Sequence, residues 1–277
     1  MTKSIAPAKV LVGIPLGRET PHHATKALLR FAMGQRVDSP LPDMATVKTF
    51  IRMVAQAHAT DFESITADVV EAFLQFAVGP RAGQVELIDV PYQATAAARN
   101  YMARYLTQRP DATHLLMLDD DHIHPPDIVA RLLRWWQQDN NRKIVAGLVY
   151  RRVMPHDPLL CIEAADGTLS TMIPPYPATL FPIDGVVATS AMLIHRSVFE
   201  HVPPPWFYVE TEADGITQNT EDYPFCRKVR KYGFNIWVDP DCRSPHLGTE
   251  LVDEETWLRC NPDIAQRAKK LSVPMVN

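Results

Sequence analysis

The residues best suited to chemistry in this 277-residue chain are three consecutive carboxylates. They close the run His114-Leu-Leu-Met-Leu-Asp119-Asp120-Asp121. Leu115 to Leu118 read as a short buried strand, because a continuous apolar run bounded by charge suits a strand covered on both faces. Alternation along such a strand predicts Asp119 and Asp121 on one side and Asp120 on the other. Two hard oxygen ligands on one side make a seat for Mg²⁺ or Mn²⁺. In an α/β sheet the C-terminal strand end is also where ligands bind. The plainer reading is an acidic turn that opens the next helix, with one aspartate as N-cap.

Four other groups carry candidate chemistry. Glu221-Asp222 opens a helix predicted over 219–232. Acids in a first turn are favoured by the helix dipole, whereas the functional reading is a carboxylate base for an acceptor hydroxyl, with Asp222 the member facing a cleft. His246, between Pro245 and Leu247-Gly248, is a loop histidine by default. It gains interest because imidazole is the usual further ligand where two aspartates leave a metal undercoordinated. Arg99-Asn100 lies on an Ala-rich helix predicted from Thr95 to Leu106, where Ala96 to Ala98 permit close approach to a nucleotide and Arg99 offers a fork of donors. Tyr150-Arg151-Arg152 brings cations to another strand end, suited to a diphosphate or a sugar, or equally to a solvated basic corner. His122 and His124 adjoin the carboxylates, and a dense D-D-D-H-I-H metal array would suit a hydrolase, but Ile123 and the prolines that follow favour a loop leading into a helix. His22, His23 and His114 suggest no chemistry.

The elements that must position these residues alternate between strand and helix. Strands are predicted at Lys9 to Pro15, Gln84 to Val90, Leu115 to Leu118, Lys143 to Tyr150, Val186 to His195 and Phe234 to Val238. Helical spacing occurs at 21–33, 44–58 and 66–77, and from Pro125-Pro126 to about Trp136. Gly233 is a good C′ glycine for the helix over 219–232. This order predicts an α/β fold with a largely parallel sheet and a mixed C-terminal half. We expect one domain over 1–277, with a helical insertion at about 35–80.

A net charge of −4 implies no general affinity for polyanions. The N-terminal residues lack the apolar core of a signal peptide, and no window approaches the roughly 18 apolar residues of a membrane span. Four widely spaced cysteines without a C-x-x-C pair suggest reduced thiols and a cytoplasmic protein. There is no P-loop, no G-x-G-x-x-G and no G-x-S-x-G elbow, so a kinase and a serine hydrolase fit poorly.

The collinear set of motifs resembles GT-A-fold glycosyltransferases, near family 2 and its phage and prokaryotic relatives. The set is Val12-Gly-Ile-Pro15, Ala98-Arg99-Asn100, Leu118-Asp-Asp-Asp121, Gly147-Leu-Val-Tyr-Arg151, Ala191-Met-Leu-Ile, Thr220-Glu-Asp222 with Phe225-Cys226, Gly233, Asp239-Pro-Asp, and His246-Leu-Gly248. It spans roughly residues 9–250. The resemblance implies a Rossmann-like, mostly parallel sheet flanked by helices. It implies a nucleotide-sugar glycosyltransferase in which Asp119, Asp121 and His246 hold Mn²⁺ or Mg²⁺ against the diphosphate. Ile14, Pro15, Gly17, Arg99, Asn100, Asp120, Tyr150 and Arg151 would then serve the nucleotide sugar, a UDP- or GDP-sugar. Asp222, with Glu221 beside it, would supply the acceptor-side base. Asp184 to Ser190 lacks the second glycine that such proteins often carry, and the Q-x-x-R-W motif of processive synthases is missing. The acceptor stays open between a modified DNA base, a glycan, a small molecule and a protein. The rival readings are a nucleotidyltransferase that uses a nucleoside triphosphate and a non-catalytic sugar-nucleotide or glycan-binding protein.

Overall fold

The computed structural model describes residues 8–13, 85–88, 90, 94–119, 121–125, 127–211, 215, 216, 218–247 and 251–263. The expected insertion at 35–80 and the helices predicted at 21–33, 44–58 and 66–77 lie outside them. The first half of the described chain runs β1 (Val10–Gly13), β2 (Val85–Ile88), α1 (Thr95–Gln108), β3 (His114–Leu118), α2 (Ile128–Gln138), β4 (Ile144–Val149), β5 (Leu160–Glu163) and β6 (Leu169–Thr171). There follow β7 (Phe181–Ile183), β8 (Gly185–Val187), β9 (Ala191–His195), α3 (Arg196–His201), β10 (Glu210–Thr211), β11 (Gln218–Asn219) and α4 (Asp222–Lys231). The last elements are β12 (Ile236–Ser244), β13 (His246–Leu247), β14 (Leu251–Val252) and α5 (Glu254–Cys260).

A seven-stranded sheet in the order β2-β1-β3-β9-β4-β12-β7 forms the centre. Strands β2, β1 and β3 pair in parallel, as do β4 and β12. Between these blocks β9 runs antiparallel to both neighbours, and β7 closes the edge antiparallel to β12. The sheet is mostly parallel, as expected, with two reversed strands.

Both faces are covered, which is why β3 is apolar from Leu115 onward and β4 throughout. Leu115 and Met117 face one cluster with Met102 and Leu106 of α1 and Phe225 of α4. Leu116 and Leu118, pointing the other way, join Ile128, Val129 and Leu132 of α2. In α2 the apolar residues fall on one stripe, so a single helix face seals that side of the sheet.

Three expectations are corrected. The run from Val186 to His195 is not one strand. It breaks at Ala188-Thr189-Ser190, so that β8 pairs with β5 in a small three-stranded sheet while β9 enters the main sheet. The last strand extends well past Val238, to Ser244, with an irregularity in its pairing between Asp239 and Arg243 that keeps the chain on course despite Pro240. The helix expected from 219 starts at Asp222, and Asn219 ends β11 instead. Gly233 does follow α4 with a left-handed φ of 83°, the conformation a C′ glycine supplies without steric cost.

Candidate functional site

The catalytic candidates gather where β3, β4 and β12 end, the edge of an α/β sheet at which ligands bind. Asp119 continues the alternation of β3 toward α1. Its Oδ1 accepts a hydrogen bond from Nη2 of Arg99 at 3.1 Å. Arg99 is 2% exposed, and its Nε donates at 3.0 Å to Oε1 of Glu221. Its Nη1 is buried and has no partner among the described residues. Burial alone would weaken the hold of this guanidinium on its proton. Asp119, Asp222 and Glu221 around it reverse that effect, so Arg99 remains a buried cation.

Asp222 begins α4 and lines a cleft of about 350 Å³ with Arg151, Leu159, Cys161, Val186, Ala188, Asn219, Thr220 and Tyr223. Its Oδ1 accepts from the amide of Thr189 at 3.2 Å and also from the Thr189 hydroxyl. No described residue donates to Oδ2. Burial pushes the carboxyl up to about 6, and the charge of Glu221 adds to it, while Arg99 and the Thr189 bond pull the other way. A carboxylate with one oxygen anchored, the other free and a proton affinity near neutrality is suited to general-base work.

Asp121 lies beyond the end of β3, in a turn, and meets a different set of groups. His122 and His246 form an antiparallel bridge, with their rings stacked at 4.1 Å between centroids. His246 Nε2 is 2.9 Å from Asp121 Oδ2, and His122 Nδ1 is 3.0 Å from Asp121 Oδ1. One ligand atom from each of Asp121, His122 and His246 lies within 4.8 Å of the others. Burial would raise the Asp121 carboxyl, but the two imidazoles hold it well below the usual carboxylate range. The backbone oxygen of Tyr150 stands 2.8 Å from His246 Nδ1, and a carbonyl only accepts, so the His246 proton belongs on Nδ1. A neutral ring would then turn its Nε2 lone pair onto a carboxylate. A proton or a metal cation between them relieves that repulsion. His122 is 2% exposed, and its Nε2 has no partner among the described residues. Two imidazoles, a carboxylate and an orphaned ring nitrogen fit a divalent cation. His124, by contrast, is fixed between Ser244 Oγ and the carbonyl of Asp119, each at 3.0 Å, and burial lowers it to about 4, so it stays neutral.

The sequence model of glycosyl transferase family 2 matches residues 63–202, just over half of the chain. The chain belongs to glycosyl transferase family 2. This glycosyltransferase has the GT-A fold, its mixed sheet carrying the site at one edge. Among solved structures it is similar to "Crystal Structure of A197 from STIV", at 12% identity and a TM-score of 0.49, over 90% of this chain and 91% of that one. No curated protein matches its sequence. Among the described residues no helix is long and apolar enough to cross a membrane.

The structure brings together some of the residues singled out in the glycosyltransferase sequence and separates others. Asp121 and His246 meet. Asp119 does not join them, because the pairing of β3 ends at Leu118 and the strand alternation stops before Asp121. Arg99 offers no fork to a nucleotide; two of its three nitrogens bond to carboxylates. Asn100 is likewise turned to structure. It accepts from the amides of Trp206 and Phe207 and donates to the carbonyls of Ala96 and Phe207. Tyr150 is buried, its hydroxyl donating to Glu254 at 3.2 Å, and it reaches the site only through its carbonyl. Glu221 touches Arg99, whereas Asp222 and Arg151 line the cleft. Ile14, Pro15, Gly17 and Asp120 lie outside the described residues. The sequence ranked one of the site's residues too low and passed over another. His122 was outweighed by its loop neighbours, and only its bridge to His246 brings it in. Thr189 looked like part of a strand, although three small residues in an apolar run were the available sign of a break.

Proposed function

We propose that this single-domain chain transfers a sugar from a nucleotide-diphosphate sugar, of UDP or GDP, to an acceptor hydroxyl, with Asp222 as the base. The observation that carries this reading is the Asp222 carboxylate itself, tethered at Oδ1 by Thr189, open at Oδ2 and lining the cleft. The acceptor hydroxyl donates a hydrogen bond to Oδ2 and yields its proton there as its oxygen attacks the anomeric carbon. The bond from that carbon to the diphosphate breaks, and the nucleoside diphosphate leaves. Attack opposite the leaving group inverts the anomeric centre. Arg99, itself bonded to Glu221, opposes the Asp222 charge, while the Glu221 charge raises it; both act on the base through charge, without touching substrate.

Asp121, His122 and His246 are the residues that would hold a divalent cation. Such an ion supplies positive charge against the leaving diphosphate. Two imidazole nitrogens favour Mn²⁺ over Mg²⁺, which prefers an oxygen shell. Arg152, with Nη1 at 3.4 Å from Asp121, adds a second cation on this side.

The test is Asp222→Asn, which keeps shape and removes basicity. Transfer should fall by about 10²–10⁴-fold, while the donor's dissociation constant stays within about twofold. Wild-type turnover by this variant would refute the role of Asp222.

A further inference from the structure

We propose that Arg151 reads an anionic substituent, a carboxylate or a phosphate ester, on the sugar or acceptor that enters the Asp222 cleft. This rests on the reading of that cleft as the place of transfer. Arg151 and Arg152 follow β4 as neighbours, yet their side chains go to different places. Arg152 turns to Asp121 and so to the diphosphate side, whereas Arg151 lines the cleft that Asp222 also lines. The two cations therefore serve different ligands.

Arg151 is held in place by its backbone. Its amide donates to the carbonyl of Asp157 at 2.8 Å, and its carbonyl accepts from His156 Nδ1 at 3.1 Å. His156 is buried and takes the left-handed backbone (φ 61°) that turns this loop back toward Pro158, which bridges to Tyr150. The guanidinium carried on this loop has no carboxylate partner among the described residues. Arg99, Arg152, Arg227 and Arg230 each have one. The Asp222 charge, in the same cleft, is already opposed by Arg99, which leaves the Arg151 charge for a ligand. Burial raises the Cys161 thiol and the Tyr223 phenol, and the Arg151 charge draws both back, so its field reaches into the cleft.

The walls give the ligand its size and strengthen the field. Leu159, Val186 and Ala188 are apolar, so an ion pair formed beside them is screened less than in open water. At about 350 Å³ the cleft is near the small end of ligand sites, which span about 300–1,000 Å³, and suits a single sugar-sized group. A planar guanidinium at its edge favours carboxylate or phosphate through paired donors, where an ammonium would act only as a point charge.

Matched ligands that differ only in the anion test this. Dissociation constants are measured by NMR titration with Mn²⁺ present, for glucuronate against glucose and for a nucleotide-linked glucuronate against the same nucleotide-linked glucose. The nucleotide is the one that raises the melting temperature most. In one pair the anionic member should bind about tenfold more tightly, the scale of a charge-assisted hydrogen bond. Arg151→Gln should bring that ratio close to one, while Arg151→Lys keeps part of it. A preference in the free pair identifies the acceptor as the acidic partner, and one in the nucleotide-linked pair identifies the transferred sugar. Equal binding within both pairs, or a preference that survives Arg151→Gln, overturns the inference. If no nucleotide raises the melting temperature, the donor reading fails instead, and the free pair still decides the role of Arg151.

Discussion

At the residue scale, the proposal that Asp222 is the base makes the rate depend on the pH at which its carboxyl ionises. Burial raises its carboxyl to about 6, so the protonated, inactive form gains as pH falls through that value. Turnover should therefore climb with pH to a plateau, with its midpoint near 6. Thr189→Val removes the hydroxyl that donates to Oδ1 and favours the ionised form. Its pH–rate midpoint should move upward, whereas a midpoint left in place would mean that Thr189 does not tune the base. A carboxyl raised on folding adds stability below its unfolded value, and that contribution is lost as pH rises through about 6. Asp222 thus trades stability for basicity at working pH.

At the element scale, β4 and β12 run side by side to the site, and Gly147 leaves no room for a side chain between them. A methyl group at Gly147 would stand 2.5 Å from the carbonyl oxygen of Cys242 and 3.2 Å from its Sγ. Gly147→Ala should cost about 1–3 kcal/mol in denaturant unfolding through overpacking. Mn²⁺ affinity should fall as well, since β12 runs directly toward His246. Most of these elements were legible in the sequence, because β1, β3 and β4 are buried on both faces and their apolar runs are nearly uninterrupted. The break at Ala188-Thr189-Ser190 was not, since hydrophobic pattern fixes a strand's existence better than its partner. The reversed direction of β9 follows from long-range pairing that no local window contains.

At the scale of the whole molecule, the topology distributes the carboxylate run of β3 between two partners. Asp119 is drawn to Arg99 on α1, and Asp121 to His122 and to His246 of β13, just after β12. The sequence pointed to Asp121 and His246 as partners, and these two do meet. It could not divide the site's residues into an arginine-centred triad and an imidazole cluster, because that division depends on where β3 stops pairing. Both groups meet only in the folded chain, so donor and metal should stabilise the fold by mass action. The most direct measurement is therefore the melting temperature across a panel of UDP-, GDP-, CDP- and dTDP-sugars, with and without Mn²⁺. A ligand at 100 times its dissociation constant adds about 2.7 kcal/mol, which for a chain of this size is on the order of 5 °C or more. Metal-dependent donor binding at this site predicts such a rise for at least one nucleotide sugar, only with Mn²⁺ present, and its loss in Asp121→Ala. No rise with any nucleotide sugar, or the same rise in Asp121→Ala as in the wild type, would contradict it.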